Sequence, residues 1–344
     1  MKRRVVYTRA FTIFFSSFLI IILINYFELI SYGFQQGYGQ MQVLWNAQAV
    51  EEILTDPDFP DSLKSRIKLI DEAKEYAVRL GLQSNDSYTT LFDQKGEPVL
   101  WNLSACRPYS FEPYTWTFPF TGKVSYKGYF DRKEARAAEI DLKQQGYDTR
   151  IRTVTAWSTL GWFKDPIMSN MLYRKEGDLV ETIFHELVHQ TIFFRDSIEF
   201  NENLASFIGK EATLLFLTAA FGESSGELSE YLTNEEDSRK FRNHILRGKS
   251  KLETLYQSFT PSMKENEKEF KKDSMISVII TKLDSISFKN SRYNHLFKEG
   301  NLPNNAYFMA FSRYHEKSDT LRVIYKKKNE NLTQFIQLFK NSQN

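Results

Sequence analysis

The chain is 344 residues long and carries 45 lysines and arginines against 43 aspartates and glutamates. That balance removes the global basic field expected of a nucleic-acid binder, and the length suffices for one large domain or two smaller ones. A single cysteine, Cys106, excludes an intramolecular disulfide and lies too far from the amino terminus to carry a lipid anchor, while 29 Phe and 18 Tyr predict a bulky core.

Lys2, Arg3, Arg4 and Arg9 precede an uncharged run from Ala10 to Phe27 dominated by Phe, Leu and Ile. Eighteen residues are just long enough to span a bilayer. No small-x-small cleavage site follows Ile24, so residues 1–32 read as an uncleaved signal-anchor rather than a removed signal peptide. The basic flank stays cytoplasmic, which places the rest of the chain on the extracytoplasmic side of the cell membrane.

Residues 33–344 then read as one domain in four parts. In the first, 33–83, Phe34–Leu54 has helical spacing and is broken by Pro57 and Pro60. Asp61–Gly81 is a clear amphipathic helix, with Leu63, Ile67, Ile70, Ala73, Tyr76, Ala77 and Leu80 on one face and Gly81 at its end. The second part, 84–180, carries strand signals at Tyr88–Phe92, Val99–Leu103, Tyr114–Phe120, Val124–Phe130 and Thr149–Ala156, with a hairpin turn at Thr121–Lys123. A helix over Asp131–Gln145, stopped by Gly146, interrupts them. The aromatic loop Trp157–Pro166 and the segment Ile167–Arg174 lead to the third part. This order predicts an α+β protein with a mixed sheet packed on the helix that follows. Thr149–Ala156 or Val124–Phe130 would be an edge strand open to pairing with an extended segment, or an interior strand without such a contact.

The third part, 181–221, contains His185-Glu186-Leu187-Val188-His189. Histidines four apart on a helix project from one face, one turn from each other, so both imidazoles reach one zinc ion. Glu186 stands beside them as a general base for a water. Ile183, Phe184, Leu187, Val188, Ile192 and Phe193 give the segment a broad apolar surface. Phe200–Phe207 opens a second helix, and Glu202 completes a His/His/Glu set with the fourth position open; Glu199 or Glu211 would be next in line. Twelve residues separate His189 from Glu202, so the connecting turn must be tight. The fourth part, 222–344, is mainly helical, with stretches at Arg239–Tyr256, Met263–Asp284, Ala306–His315 and Leu332–Phe339. Its charge runs read as solvated faces.

These blocks, in this order, resemble the bacterial "putative aminopeptidase" family of zincin-type zinc metallopeptidases. The resemblance is carried by Asn85–Tyr88, Val99–Asn102, Thr117–Gly122, Val124–Phe130, Ala156–Pro166, Ile183–Gln190, Phe200–Gly209 and Asn304–Ala306 before Tyr314. It implies a zincin-like fold, one zinc ion held by His185, His189 and Glu202, and Glu186 as catalytic base. Tyr314 is the candidate donor to the oxyanion, with His315 as alternative. Asn304 and Asn305 would hold substrate backbone or cap a helix. Trp162 and Asp165 would line the cleft. An aminopeptidase also needs carboxylates for the substrate's free amine, for which Glu199 and Glu211 are the available candidates. The expectation is a membrane-anchored zinc aminopeptidase acting on peptides. An endopeptidase for envelope proteins is the alternative. A non-catalytic zinc-stabilised envelope scaffold is a third reading, disfavoured because a structural site needs no general base.

Overall fold

A computed structural model describes residues 14, 26–84, 86–118, 122–154, 164–293, 296–297, 302–315 and 318–342. The chain divides into two compact units, Met1–Asn46 and Ala47–Asn344. In the first, residues 26–45 form a helix, α1. Phe27, Phe34, Tyr38 and Trp45 on it are exposed, and their spacing of seven, four and seven places them on one stripe. Almost all of the apolar run Ala10–Phe27, and with it the expected membrane anchor, lies outside the described residues.

The second unit opens with β1 (Gln48–Ala49) and α2 (Val50–Thr55), so the single helix expected over Phe34–Leu54 is interrupted. The interruption exists because Gln48 and Ala49 pair with β2 (Thr90–Phe92). Helix α3 (Asp61–Arg79) buries Ile67, Ile70, Ala73 and Ala77 as its spacing requires, and Gly81 closes it at φ +94°. The strands β3 (Leu100–Cys106), β4 (Trp116–Phe118), β5 (Gly122–Val124), β6 (Lys127–Tyr129), β7 (Asp148–Val154) and β8 (Ile167–Met168) follow. Between β6 and β7 lies α4 (Arg132–Gln144), whose N-cap Asp131 accepts a 2.6 Å bond from Lys133 N–H.

Among the described residues these strands make three small sheets rather than one. Their orders are β1-β2-β8, β6-β3-β7 and β4-β5, with β2 and β8 parallel and the other pairs antiparallel. The segment Val124–Phe130 is split, since Val124 ends β5 and Lys127 starts β6. Both β6 and β7 are outer strands of their sheet. The sheet β6-β3-β7 packs chiefly on α4 and on α9 (Asn305–His315), and not chiefly on the helix that carries the two histidines.

That helix, α5 (Glu176–Thr191), occupies the centre. It packs against α3, α6 (Ile198–Phe221) and α7 (Gly226–Gln257), which is why most of its residues are buried. Leu179, Val180, Ile183, Phe184, Leu187 and Val188 are all buried, each contributing about 1.5–3 kcal/mol. Tyr76, Phe184 and Phe216 meet edge to face at ring distances of 5.6–6.3 Å and join α3, α5 and α6. Glu176 and Asp178 in the first turn favour the helix dipole.

The carboxy-terminal part is helical, with α8 (Glu265–Thr281), α10 (Ser318–Lys327) and α11 (Leu332–Asn341) completing it. Helix α7 starts earlier than its apolar spacing indicates, at Gly226, because Ser225 caps it by accepting from Leu228 N–H. Helix α10, which the sequence pattern did not reveal, packs with α11 on α6.

Asp148 ties the sheet to the helical part. Its Oδ2 accepts from Lys272 Nζ of α8 at 2.6 Å and from Asn305 N–H at the start of α9 at 2.9 Å. Asp148→Ala leaves the buried Lys272 ammonium without that partner, at a cost on the order of 3 kcal/mol or more. Differential scanning fluorimetry should show Tm falling by several degrees; an unchanged Tm would contradict the role given to this contact.

Candidate metal centre

His185 and His189 lie one turn apart on α5, and Glu202 lies in the second turn of α6. The two Nε2 atoms are 3.1 Å apart, and Glu202 Oε2 is 3.3 Å from His185 Nε2 and 3.6 Å from His189 Nε2. Three donors held about 2.0–2.2 Å from one tetrahedral centre stand roughly 3.3–3.6 Å from each other. The triangle therefore has the size of one face of such a coordination shell. Two imidazole nitrogens and one carboxylate oxygen are also the donor set that zinc accepts. The three residues form the group among the described residues that could hold a metal ion.

Two local features bring Glu202 to the histidines. The connection between the helices spans residues 192–197, with Asp196 in the left-handed region at φ +56°. Asn201 closes it like a strand partner: its Oδ1 accepts from Phe194 N–H at 2.9 Å and its Nδ2 donates to Phe194 C=O at 2.7 Å. The second feature is Gly209. A Cβ there would meet Glu181 O at 3.3 Å and His185 N at 3.4 Å, so α6 approaches the backbone of α5 at the turn that carries the first histidine. Among the described residues α6 is also the one helix long and apolar enough to cross a membrane. More than half of that stretch, 56%, is buried, and α6 packs against six other helices as a core helix does.

The electrostatics follow from four ionisable groups sharing a buried place. Burial works against the Glu202 carboxylate, but the two imidazoles beside it overcome this and hold its pKa well below the ordinary range. Burial lowers His185, yet Glu202, Glu186 and Glu181 outweigh it and the net shift is upward, so a cation arriving there competes with a proton. Glu186 is raised, by burial first, with the two histidines pulling the other way. A carboxylate held above its usual range beside two imidazoles suits a proton acceptor.

Residues 31–344 match the sequence model of the family described as "Putative aminopeptidase". The chain belongs to that family. No curated protein and no solved structure matches it.

The remaining residues singled out for the aminopeptidase chemistry divide by position. Tyr314 and His315 stand in the last turn of α9; their side chains, like Trp162, lie outside the described residues. Asn304 and Asn305 have structural tasks. Asn304 Oδ1 accepts from Tyr307 N–H at 3.4 Å at the start of α9, and its Nδ2 donates to Thr149 O at 2.9 Å. The fully buried Asn305 donates to Pro108 O and accepts from Tyr256 Oη. Glu211 is paired with Arg322 of α10, and Glu199 is exposed at the start of α6. Asp165 is buried, its main chain bonded to Tyr88 and Ser87.

Tyr88 is a residue that the sequence reading passed over. Its backbone is in the left-handed region at φ +65°, costly for a bulky side chain. Its side chain is buried, its hydroxyl has no hydrogen-bond partner among the described residues, and Glu186 and Asp165 are the charges it feels. No local signal marks a tyrosine for φ > 0; its place in the Asn85–Tyr88 block was the one available clue.

If Gly209 and Asn201 set the triangle, Gly209→Val and Asn201→Ala should each weaken zinc binding at least about tenfold in a chelator competition titration. Wild-type affinity in both variants would show that other contacts position Glu202.

Proposed function

We propose that this chain is a zinc-dependent aminopeptidase, its catalytic unit held at the extracytoplasmic face of the membrane by the apolar segment near its amino terminus. The carrying observation is the His185–His189–Glu202 triangle with Glu186 next to it, in a chain of an aminopeptidase family. Zinc in that triangle supplies Lewis acidity, polarising a carbonyl oxygen and lowering the pKa of a water.

The protein's own groups account for the rest. Glu202, kept ionised by the two imidazoles, contributes a negative charge that stays constant through the working pH range. Glu186 takes the proton of the attacking water at its carboxylate and delivers it to the nitrogen of the leaving amine. Burial of Glu186 favours that transfer, since its conjugate acid is easier to form there than in bulk water. Tyr314, from the last turn of α9, is the proposed donor to the oxyanion.

Glu186→Gln keeps the shape of the side chain and removes its basicity. It should lower kcat for an unblocked peptide by about 10²–10⁴-fold while zinc content stays at the wild-type level. Turnover by mass spectrometry and metal content by plasma emission check the two halves, and full activity in this variant would remove Glu186 from the mechanism.

A further inference from the structure

The helix faces that carry the metal triad continue beyond it. On α5, Asp178, Glu181 and His185 follow one another at spacings of three and four, and on α6 Glu202, Ser206 and Lys210 do so at four and four, so each set shares a helix face. Past the triad these faces border a cavity of about 420 Å³, within the range of small-ligand sites. Another part of its wall is aromatic, with Phe241 from α7, Tyr307 and Phe311 from α9, and Tyr293 from the short turn Ser291–Tyr293. Glu181 stands one turn before His185, about 6 Å along the axis, and its charge is felt at that imidazole.

We propose that this cleft receives the first residue of the substrate, with Glu181, seconded by Asp178, binding its free ammonium group and the aromatic wall its side chain. The inference rests on the aminopeptidase reading of the triad and adds to it the groups that hold the amine and a preference for an apolar or aromatic first residue. An α-amine is only two bonds from the carbonyl to be attacked, so its partner must lie within about one helical turn of the metal ligands, as Glu181 does. The lining holds three carboxylates and three cations, so selection is by position and not by net charge. Lys210 Nζ is turned to Glu235 at 2.6 Å, and the guanidinium of Arg292 bonds Tyr293 Oη at 2.9 Å. Arg292 partly offsets Asp178 and Lys210 partly offsets Glu181, so it is position, nearer the triad, that makes Glu181 the principal group. Glu181 Oε2 accepts from Tyr231 Oη at 2.8 Å, which orients the carboxylate. Burial destabilises both carboxylates, a cost that a bound ammonium would offset.

The test uses the zinc-loaded full chain and two matched probes, a peptide beginning with phenylalanine and its N-acetyl form. Wild type should prefer the unblocked peptide at least about tenfold in kcat/KM, a ratio in keeping with a lost charge-assisted hydrogen bond. Glu181→Gln should erase most of that preference, mainly through KM, with zinc content and Tm at wild-type levels; Asp178→Asn should do so to a smaller extent. A second measurement follows binding alone, by calorimetry of phenylalaninamide with the Glu186→Gln protein, where adding Glu181→Gln should weaken binding about tenfold. Peptide cleavage with a preference indifferent to Glu181, or no binding of phenylalaninamide, overturns the subsite and leaves the peptidase reading intact. Glu181-dependent binding without cleavage of either peptide supports the subsite and overturns the peptidase reading.

Discussion

The close approach of two helix backbones at Gly209 is the constraint on which the rest depends. Helix α5 alone offers two imidazoles on one face. A third donor at the right distance requires α6 to come within a van der Waals contact of the α5 main chain beside His185. Without a side chain at residue 209 that approach is unobstructed; a Cβ there would press on Glu181 O and His185 N, and a larger side chain would push α6, and Glu202 with it, outward. The Asn201 staple on Phe194 fixes the other end of the lever, so the position of Glu202 along α6 is set at both sides of the triad.

This packing has an electrostatic price. Glu181, His185, Glu186 and Glu202 crowd the seam between α5 and α6, and their partners satisfy them unequally. Glu202 is stabilised by the histidines, while Glu186 and Glu181 are left destabilised as anions by burial. Such unresolved charge is unfavourable for folding and useful for chemistry, since it leaves groups ready to take a proton or a ligand's positive charge. The surrounding core tolerates it because α5 is held by apolar contacts on its other sides, including the Tyr76–Phe184–Phe216 cluster.

Much of this was legible in the sequence because it depends on spacing. The histidine pair, Glu202 at the start of the next helix, and the bounds of α3, α4 and α11 all follow from period and capping residues. The strands were legible as segments but not as sheets. Alternation indicates which residues face a core, whereas pairing partners are distant in sequence, so the separation of β1-β2-β8 from β6-β3-β7 left no local trace. Helix α7 was hidden in part by a charged stretch that reads as solvent-exposed until Ser225 is recognised as its cap. The carboxylates of the cleft escaped notice for a related reason. Glu199 and Glu211 lie near the motif in the chain, but one is exposed and the other engaged by Arg322, whereas Asp178 and Glu181 gain their meaning from helices that arrive much later in the sequence. Tyr88 shows the same limit, because its left-handed backbone is imposed by tertiary packing and not by its own preference.

The most direct measurement of the central claim is metal content after exhaustive dialysis, by inductively coupled plasma mass spectrometry, for the wild-type chain, His189→Ala and Glu202→Ala. The account predicts about one zinc per wild-type chain and a small fraction of that in either variant. Wild-type protein that folds but retains no zinc, or variants that retain it at full stoichiometry, would contradict the assignment of these three residues as a metal centre.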